Sequence, residues 1–254
     1  MSDFRDAVIV VTGAAQGIGA ATATLLAQRG ATVVIADVQD EKGAATAAEI
    51  NSSATGSAEF RQLDVTDGEQ VAAVARDVHA AHGHIDGLMN NAGIVESSST
   101  FELDEATWAK TIAVNLTGCF LCAREFGRVI AQDGGGAIVS VSSIAGLKAV
   151  HPELHLAYDV SKAGVAQLTR SLAAEWVSLN VRVNAVAPGY TRTAILDEVG
   201  RTDPAILEDW LGQIPIGRLI EPREISEVVA FLLSDAASAV TGHVLAADGG
   251  YTIY

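Results

Sequence analysis

The sequence predicts an α/β fold, a doubly wound parallel sheet of about seven strands with helices on both faces. Short apolar runs, mostly β-branched, alternate along the chain with longer segments of helical periodicity. The runs are continuously apolar, which is typical of parallel strands buried on both faces. Since no repeat, low-complexity tract or Pro/Gly-rich linker divides the 254 residues, we expect one domain spanning residues 1–254.

The predicted elements follow one another as strand, helix, strand. Strands are predicted at Val8–Thr12, Thr32–Ala36, Phe60–Leu63, Gly87–Asn90, Ala137–Val141, Val181–Val186 and Val244–Ala247. Helices are predicted at about 17–29, 40–50, 67–82, 104–131, 157–179, 203–213 and 222–234. Asp67 is a start signal for the third helix, and Gly30 and Gly83 are stop signals for the first and third.

Residues 190–215 interrupt this regularity between a strand and the last helix. They hold several acidic residues, two prolines and Trp210. Segments of this kind, placed beyond the carboxyl ends of strands, often close over a bound substrate. We therefore expect a substrate lid at about 190–215.

The charge balance excludes several classes of partner. Sixteen basic and 31 acidic side chains give a formal charge of -15, which repels nucleic-acid phosphates and anionic membrane surfaces. No basic segment precedes an apolar stretch at the N-terminus, and no run reaches the roughly 18 apolar residues of a membrane helix. We expect a cytoplasmic protein that binds neither nucleic acid nor membranes.

Cys119 and Cys122 form a Cys-x-x-Cys pattern that could indicate redox or metal chemistry. Both lie in an apolar run at helical spacing, and no second pair of ligands is close in sequence, so we predict core packing and no metal site. His79, His82 and His84 fall at the polar end of a predicted helix, where a solvated surface is the better interpretation.

A glycine-rich turn follows the first strand in Thr12-Gly-Ala-Ala-Gln-Gly-Ile-Gly19. Gly13, Gly17 and Gly19 would tighten the turn, let the backbone approach a pyrophosphate, and let the next helix pack close to the strand. A plain strand-to-helix turn is the alternative, because glycine spacing alone is weak evidence.

Asp37 at the end of the second strand supports a nucleotide site. A carboxylate there can accept hydrogen bonds from the adenosine ribose hydroxyls and would repel a 2′-phosphate. No lysine or arginine stands at positions 14–16, 38 or 39 to offset that charge. We therefore predict NAD rather than NADP; a solvated strand end or helix cap is the alternative for Asp37.

Tyr158 and Lys162 begin the longest helical pattern of the second half. Their i, i+4 spacing puts phenol and ammonium on one face, and a positive charge nearby favours phenolate and lowers the tyrosine pKa. Tyr158 could then exchange a proton with a substrate hydroxyl. By itself a Tyr-x-x-x-Lys pattern is usually a pair of surface residues. Here the pattern follows the predicted nucleotide-binding part of the chain and a strand that ends in Ser142-Ser143, and this position favours a catalytic role.

The whole chain resembles the short-chain dehydrogenase/reductase family, in particular its bacterial sugar-alcohol (galactitol-type) and secondary-alcohol dehydrogenases. The matching motifs occur in the family's order over nearly all of the sequence. They are Thr12-Gly-x-x-x-Gly-x-Gly19, Asp64-Val65, Asn90-Asn-Ala-Gly93, Asn115, Ser143-Ile-Ala-Gly146, Tyr158-x-x-x-Lys162, Pro188-Gly189 with Thr193, and Asp248-Gly-Gly250.

The resemblance implies a role for each matching position. Ser143 would orient the substrate oxygen, Tyr158 would be the acid/base, Lys162 would bind the nicotinamide ribose and tune Tyr158, and Asn115 would hold a proton-relaying water. The implied cofactor-binding residues are Gly13, Gln16, Gly17, Ile18, Gly19, Asp37, Asp64, Val65, Asn91, Ala92, Gly93, Tyr158, Lys162, Pro188, Gly189, Thr191 and Thr193. Ser142 competes with Ser143, and Asn115 could instead be a structural amide mending a helix irregularity.

The substrate is the open question. The loop from Gly146 to Tyr158 is about two residues longer than is usual in the family. This difference affects the expected shape of the substrate pocket more than the expected reaction. Polar loop residues that suit a polyol are His151, Glu153, His155 and Arg192, although solvent exposure is an equally good interpretation. Apolar residues that suit a ketone are Tyr190, Ile195, Leu196, Trp210 and Leu211.

We therefore expect an NAD-dependent enzyme that interconverts a secondary alcohol or polyol and its ketone. A β-ketoacyl carrier-protein reductase is the nearest rival, but it would want NADPH and a basic docking patch, which fit neither Asp37 nor the -15 charge. A catalytically idle NAD-binding scaffold is the alternative from another class. The resemblance also implies a homo-oligomer, most often a tetramer, to which the ending Tyr251-Thr-Ile-Tyr254 could contribute.

Overall fold

A computed structural model of the chain describes residues 3–193, 196, 201–202 and 204–254. Seven strands form one sheet in the order β3-β2-β1-β4-β5-β6-β7, and every neighbouring pair is parallel. The strands are β1 Val8–Thr12, β2 Thr32–Asp37, β3 Ser57–Gln62, β4 Gly87–Asn90, β5 Gly136–Val141, β6 Val181–Pro188 and β7 Val244–Ala247. The predicted fold class is confirmed, because this is a doubly wound parallel sheet.

The helices join successive strands. They are α1 Gly17–Gln28, α2 Asp40–Ser53, α3 Gly68–His82, α4 Glu105–Ile112, α5 Cys119–Gln132, α6 Leu156–Trp176, α7 Pro204–Gln213 and α8 Pro222–Leu233. The start and stop signals act as predicted at α3, where the Asp67 carboxylate accepts hydrogen bonds from the amides of Glu69 and Gln70, and Gly83 ends the helix in the left-handed conformation.

Two apolar cores lie on opposite faces of the sheet. On one face Leu26 of α1 and Val229 of α8 are fully buried against the sheet. On the other face Val78 of α3 and Phe126 of α5 are fully buried. This division explains the continuous apolar runs in the sequence, since each central strand must present an apolar side chain to both cores.

Cys119 and Cys122 are free thiols buried in α5. The prediction of core packing is therefore confirmed. Burial raises the pKa of both thiols, so neither is a ready thiolate.

The histidines near the end of α3 are half-buried and bonded to carboxylates. His79 lies 3.0 Å from Asp133, and His82 lies 3.2 Å from Glu59, between ring nitrogen and carboxylate oxygen. The surface prediction holds, but these side chains are paired across elements. No helix among the described residues has the length and hydropathy to cross a membrane.

Two predicted boundaries are wrong for physical reasons. Strand β3 begins at Ser57 rather than Phe60, because it is an edge strand whose ladder to β2 admits exposed polar residues. The predicted helix 104–131 contains a π-helical segment, Ala113–Gly118, between α4 and α5. A π turn changes the backbone hydrogen bonds without a clear change in hydropathy pattern, so the sequence did not show it.

Candidate active site

A cleft of about 640 Å³ opens at the carboxyl ends of β1, β2 and β4, where the chain reverses direction through the sheet. Crevices at such reversals are the usual nucleotide sites of doubly wound sheets. Ten of the predicted cofactor-binding residues line it, namely Gly13, Gln16, Ile18, Asp37, Asp64, Val65, Asn91, Ala92, Gly93 and Thr193. The structure thus gathers residues from 13 to 193 into one cleft.

The glycine turn leaves no room for side chains. Gly13 has a positive φ of 63°, and a Cβ there would lie 2.7 Å from the Cα of Ala92. A Cβ on Gly19 would lie 2.5 Å from the carbonyl oxygen of Gly13. Both distances are shorter than van der Waals contact, so these two glycines are required for the close approach of turn, helix and neighbouring loop.

The segment after β4 is bonded to the glycine turn. The Asn91 side-chain amide donates to the carbonyl oxygens of Thr12 and Gly13, at 3.0 and 2.8 Å. The Thr12 hydroxyl in turn accepts from the backbone amides of Asn91 and Ala92, at 3.0 and 3.1 Å. These four bonds hold the floor of the cleft rigid.

Asp37 is 5% exposed and faces the cleft. Its two carboxylate oxygens accept hydrogen bonds from the backbone amides of Ala15 and Gln39, at 2.9 and 3.0 Å. Each oxygen keeps a lone pair. The arrangement therefore orients the carboxylate and leaves it able to accept from a ribose hydroxyl.

Sequence reasoning missed Lys42. This exposed residue of the first turn of α2 donates a hydrogen bond from its ammonium to the Gln16 side chain at the mouth of the cleft. Its place one turn beyond β2 is the signal in the sequence that could identify it. A basic group thus lies next to Gln16, which lines the cleft.

Gly17, Pro188, Gly189 and Thr191 were also predicted to bind the cofactor, but they are not among the residues that line this cleft. Gly17 opens α1 with a positive φ and no atom near its missing Cβ. Pro188 ends β6, and a Cβ on the following Gly189 would lie 2.8 Å from the Cα of Asp248. The Thr191 hydroxyl donates to the Gly189 carbonyl at 2.9 Å, which shapes the loop that leads to Thr193.

The predicted catalytic residues lie together beyond the end of β5. Ser143 follows that strand and is 7% exposed, and its hydroxyl lies close enough to Tyr158 to lower the pKa of the phenol. It also accepts from the Ala145 amide at 3.1 Å. The competing Ser142 points elsewhere, since its hydroxyl donates to the Lys162 carbonyl at 2.8 Å.

Lys162 is buried between the tyrosine and the cleft. Its ammonium donates to the Val141 carbonyl at 2.8 Å and lies 5.5 Å from the centre of the Tyr158 ring. A Cβ on Gly93 would lie 3.4 Å from this ammonium and 3.3 Å from the Asn115 side-chain oxygen. Gly93 therefore keeps the path open from the cleft to Lys162.

The expected depression of the Tyr158 pKa is not present in the protein alone. Burial raises the pKa of Tyr158 above its usual value, the hydrogen bond from Ser143 opposes this rise, and the Asp159 charge adds to it. Burial also lowers the pKa of Lys162 to about 8. Burial therefore favours the neutral phenol in the protein alone.

Asn115 lies in the π-helical segment and is 1% exposed. Its side-chain oxygen accepts from the Ile94 amide and its nitrogen donates to the Ile94 carbonyl, both at 2.8 Å, and to the Ser161 hydroxyl at 3.0 Å. The helix irregularity exists, and the amide connects it to the loop after β4. Ser161, which donates to the Tyr158 carbonyl at 2.7 Å, was not anticipated.

The loop between Gly146 and Tyr158 carries a carboxylate that is held by other parts of the protein. Glu153 accepts from the Tyr190 hydroxyl at 3.0 and 3.1 Å and from the Trp210 indole nitrogen at 2.5 Å. Tyr190 stacks on Trp210 with ring centres 5.0 Å apart. These side chains were assigned to opposing polar and apolar sets, but they form one cluster.

The other suggested substrate residues are dispersed. The Arg192 guanidinium pairs with Glu221 at 2.9 Å, and His151 is exposed. Leu196 and Leu211 are half-buried, and Ile195 lies outside the described residues. His155 is buried against Tyr158, with ring centres 5.3 Å apart.

The cleft and the serine–tyrosine–lysine cluster define a class of proteins. The rigid glycine turn, the oriented carboxylate of Asp37 and the space beside Gly93 fit a nicotinamide dinucleotide. Ser143 and Tyr158 lie beside each other beyond its expected nicotinamide end. This is the arrangement of a dinucleotide-dependent oxidoreductase that acts on an alcohol or a carbonyl group.

Comparison with known proteins identifies the family. A family model described as Enoyl-(Acyl carrier protein) reductase matches residues 13–252. The chain is 47% identical to a cis-4-hydroxycyclohexanecarboxylate dehydrogenase of Sinomonas cyclohexanicum, covering 98% of both chains. It is 41% identical to a galactitol 2-dehydrogenase (L-tagatose-forming) of Cereibacter sphaeroides, covering 98% of this chain and 96% of the relative.

Further comparisons concern the cofactor. An NAD-dependent glycerol dehydrogenase of Listeria innocua is 41% identical, with 99% of this chain and 96% of the relative covered. A solved putative NAD(P)-dependent gluconate 5-dehydrogenase from Beutenbergia cavernae, which contains NADP at low occupancy, has a TM-score of 0.92 at 37% identity, with 99% of both chains covered.

The chain belongs to the short-chain dehydrogenase/reductase family. It is an oxidoreductase of alcohols and ketones, and its relatives are secondary-alcohol and polyol dehydrogenases. The resemblance that the sequence motifs suggested is thereby confirmed. The family binds a nicotinamide cofactor.

Proposed function

We propose that the protein is an NAD-dependent dehydrogenase of a cyclic secondary alcohol or a polyol, with Tyr158 as the acid/base. The observation that carries this proposal is the contact between Ser143 and Tyr158. Next to this pair, the Lys162 ammonium approaches Gly93, which lines the cleft. The names of the relatives supply the two substrate classes, ring alcohols and open-chain polyols.

The residues divide the chemistry as follows. A nicotinamide bound in the cleft would supply the hydride acceptor, so that alcohol and NAD⁺ would be converted to ketone, NADH and a proton. Ser143 and Tyr158 hold the reacting oxygen, and Tyr158 takes its proton. Lys162 holds the nicotinamide ribose and, as its charge meets the phenol, favours the phenolate. Asn115 fixes the π-helical turn through which a relay water would be held.

A neutral phenol in the protein alone is compatible with this role. Tyr158 must lose its proton only when the cofactor is bound, and a positively charged ring beside the phenol lowers its pKa. Burial by itself raises it. We therefore expect the pKa of Tyr158 to fall when the cofactor binds, and the pH profile of kcat/KM should report this change.

We propose NAD as the preferred cofactor because the Asp37 carboxylate is held toward the cleft by two backbone amides. A 2′-phosphate would face this charge, and Lys42 offsets it only in part because its ammonium is engaged by Gln16. The ratio of kcat/KM with NAD to that with NADP should exceed about 100 in the wild type, which corresponds to about 3 kcal/mol.

Substitution of Asp37 tests this assignment. Asp37→Asn should lower the NAD:NADP ratio at least about tenfold, and Asp37→Asn with Lys42→Ala should lower it less, because the ammonium then no longer attracts the phosphate. Asp40→Asn, in the first turn of α2, is the matched control and should leave the ratio unchanged. A wild-type ratio at or below one contradicts the NAD proposal.

The substrate class is tested by a screen of alcohols. Purified protein is assayed for NAD reduction with polyols, cyclic alcohols and both enantiomers of simple secondary alcohols. Activity with one of the first two groups supports the proposal. Absence of NAD and NADP reduction across the panel, despite NADH binding, would favour a catalytically idle scaffold.

A β-ketoacyl carrier-protein reductase is the second candidate, and it is favoured by the 38% identity of this chain to a 3-oxoacyl-[acyl-carrier-protein] reductase of Thermotoga maritima, with 97% of this chain and 98% of the relative covered. The charge of -15 opposes docking of an acidic carrier protein. The two are separated by NADPH oxidation with an acetoacetyl thioester. Turnover that exceeds the best alcohol in the screen would replace our proposal.

We propose that residues around α7 act as a substrate lid. Trp210 on this helix binds Glu153 of the loop before α6, and the Gln213 side chain donates to the His151 carbonyl at 3.2 Å. The two segments therefore close over the same side of Tyr158. A lid predicts that substrate protects this region from proteolysis, whereas cofactor alone does not.

We also propose a cytoplasmic homotetramer. Three large apolar side chains are exposed to solvent, namely Phe101, Ile253 and Tyr254, with relative exposures of 103%, 69% and 89%. Exposed apolar side chains of this size favour a contact surface for another subunit. The C-terminal end could then contact another subunit. Sedimentation as a monomer would contradict this proposal.

A further inference from the structure

The proposed catalytic residues of α6 have a neighbour just before the helix. Tyr158 and Lys162 lie one turn apart on α6, and His155 is the N-cap residue that precedes the first turn. The Lys162 ammonium approaches Gly93 of the cleft. The His155 ring lies edge-on to the Tyr158 ring, with ring centres 5.3 Å apart. His155 therefore contacts the proposed acid/base.

The His155 ring lies beside the Asp159 carboxylate. The Nδ1 atom is 2.6 Å from a carboxylate oxygen and the His155 side chain is 9% exposed, although the two atoms do not meet the angles of a hydrogen bond. A carboxylate at Nδ1 favours the tautomer that carries its proton there. The second nitrogen, Nε2, then presents a lone pair. Within the described ranges no protein group bonds to Nε2.

Other polar groups on this side are already paired. The Glu153 carboxylate accepts from Tyr190 and Trp210, and Arg192 is paired with Glu221. Each would have to break an existing contact before it could bind a substrate. His155 can accept a hydrogen bond through Nε2 without losing its contact with Asp159.

We propose that His155 accepts, through Nε2, a hydrogen bond from a second hydroxyl group of the substrate, and so selects diols and polyols over simple alcohols. This inference rests on the proposed alcohol dehydrogenase function and names the substrate feature that the same site recognises. Asp159 is the positioning residue, since it acts through the orientation of His155.

The local charge favours a hydroxyl over a carboxylate as the second group. Asp159 is beside the ring, and Glu153 is close enough that its charge acts on Asp159. An anionic substrate group would therefore meet two negative charges with one imidazole between them. A neutral hydroxyl meets no such repulsion and can donate a hydrogen bond to the Nε2 lone pair.

The test compares matched alcohols with NAD, using trans-1,2-cyclohexanediol, cyclohexanol and cis-4-hydroxycyclohexanecarboxylate. Wild-type protein should have a higher kcat/KM for the diol than for cyclohexanol. His155→Phe keeps an aromatic ring against Tyr158 but removes the acceptor. It should lower kcat/KM for the diol about 10- to 100-fold, mainly through KM, and change cyclohexanol by less than about threefold.

Two further variants separate recognition from structure. His155→Gln retains an acceptor and should recover most of the diol activity, to within about fivefold of wild type. His243→Phe, at an exposed histidine just before β7, should leave both alcohols unchanged. NADH fluorescence titration should give the same dissociation constant for every variant, which shows that the cofactor site is intact.

Three outcomes overturn the inference. Equal loss of both alcohols in His155→Phe would mean that the side chain only supports Tyr158. No wild-type preference for the diol would mean that the second hydroxyl is not recognised. A loss confined to the carboxylate substrate would identify an anion subsite instead. Absence of turnover with all three alcohols and both cofactors, with NADH still bound, would contradict the proposed function itself.

Discussion

The cofactor side and the substrate side of the site are built in different ways. On the cofactor side the contacts involve the backbone. Asp37 accepts hydrogen bonds from backbone amides, and a side chain at Gly13 or Gly19 would clash with neighbouring backbone atoms. On the substrate side Glu153 is held by the side chains of Tyr190 and Trp210. Side-chain clusters change with each substitution, whereas a backbone frame changes little, so the reaction class is easier to recognise than the substrate.

The largest expected effect is at Tyr158, where the two sides meet. Tyr158→Phe should lower kcat by about 10³- to 10⁴-fold, because no other group takes the proton from the reacting oxygen, while NADH binds as in wild type. Steady-state kinetics and fluorescence titration measure the two effects.

Tyr190→Phe is the matched control for this substitution. It also removes a phenol hydroxyl, but that hydroxyl binds Glu153. We expect a higher KM and a kcat within about tenfold of wild type. Equal kcat values for Tyr158→Phe and wild type would exclude the proposed acid/base.

Lys162→Met should separate function from stability. The buried ammonium has a pKa lowered from 10.5 to about 8, which corresponds to roughly 3 kcal/mol of unfavourable burial at neutral pH. The variant should lose activity, yet the cofactor-free protein should be more stable by about 2 kcal/mol at pH 7 in urea unfolding.

The pH dependence checks the cause of this gain. Because the folded-state pKa of Lys162 is below the unfolded one, the unfolded chain binds the extra proton between about pH 8 and 10.5, and wild-type stability rises with pH there. The advantage of Lys162→Met should therefore shrink from pH 7 to pH 10. A constant difference would point to packing rather than charge burial.

Gly19→Ala should damage the cofactor side alone. Its Cβ would lie 2.5 Å from the Gly13 carbonyl oxygen, so the turn must shift, and the NADH dissociation constant should rise at least about tenfold. Gly212→Ala in α7 is the control, because no atom lies within 4 Å of the added Cβ. It should leave NADH binding unchanged and add about 0.5–1 kcal/mol of stability. Unchanged NADH affinity in Gly19→Ala would refute the backbone frame.

Glu153→Gln should give the smallest effect, confined to the substrate side. An amide accepts less strongly from Tyr190 and Trp210 than a carboxylate does, so KM for the alcohol should rise about 5- to 20-fold with NADH binding unchanged. Glu208→Gln, an exposed change on α7, should leave KM as in wild type. A matching rise in the NADH dissociation constant would show that the two sides are not independent.

Local pattern and tertiary contact determined different parts of this protein. The apolar runs predicted seven strands because each strand is buried on both faces, and the glycine turn, Asp37 and Tyr158-x-x-x-Lys162 predicted the site because their spacing is short and follows strand ends. By itself the sequence therefore determined the fold class and the family, and it predicted the residues of the proposed catalytic site.

Only the tertiary structure decided how the side chains pair. It placed Glu153 between Tyr190 and Trp210, brought Lys42 to the mouth of the cleft, and showed that burial raises the pKa of Tyr158 despite the lysine. These properties depend on groups distant in sequence and on the exclusion of water. A periodic sequence pattern does not contain this information, because it indicates which residues are buried and not which residues they contact.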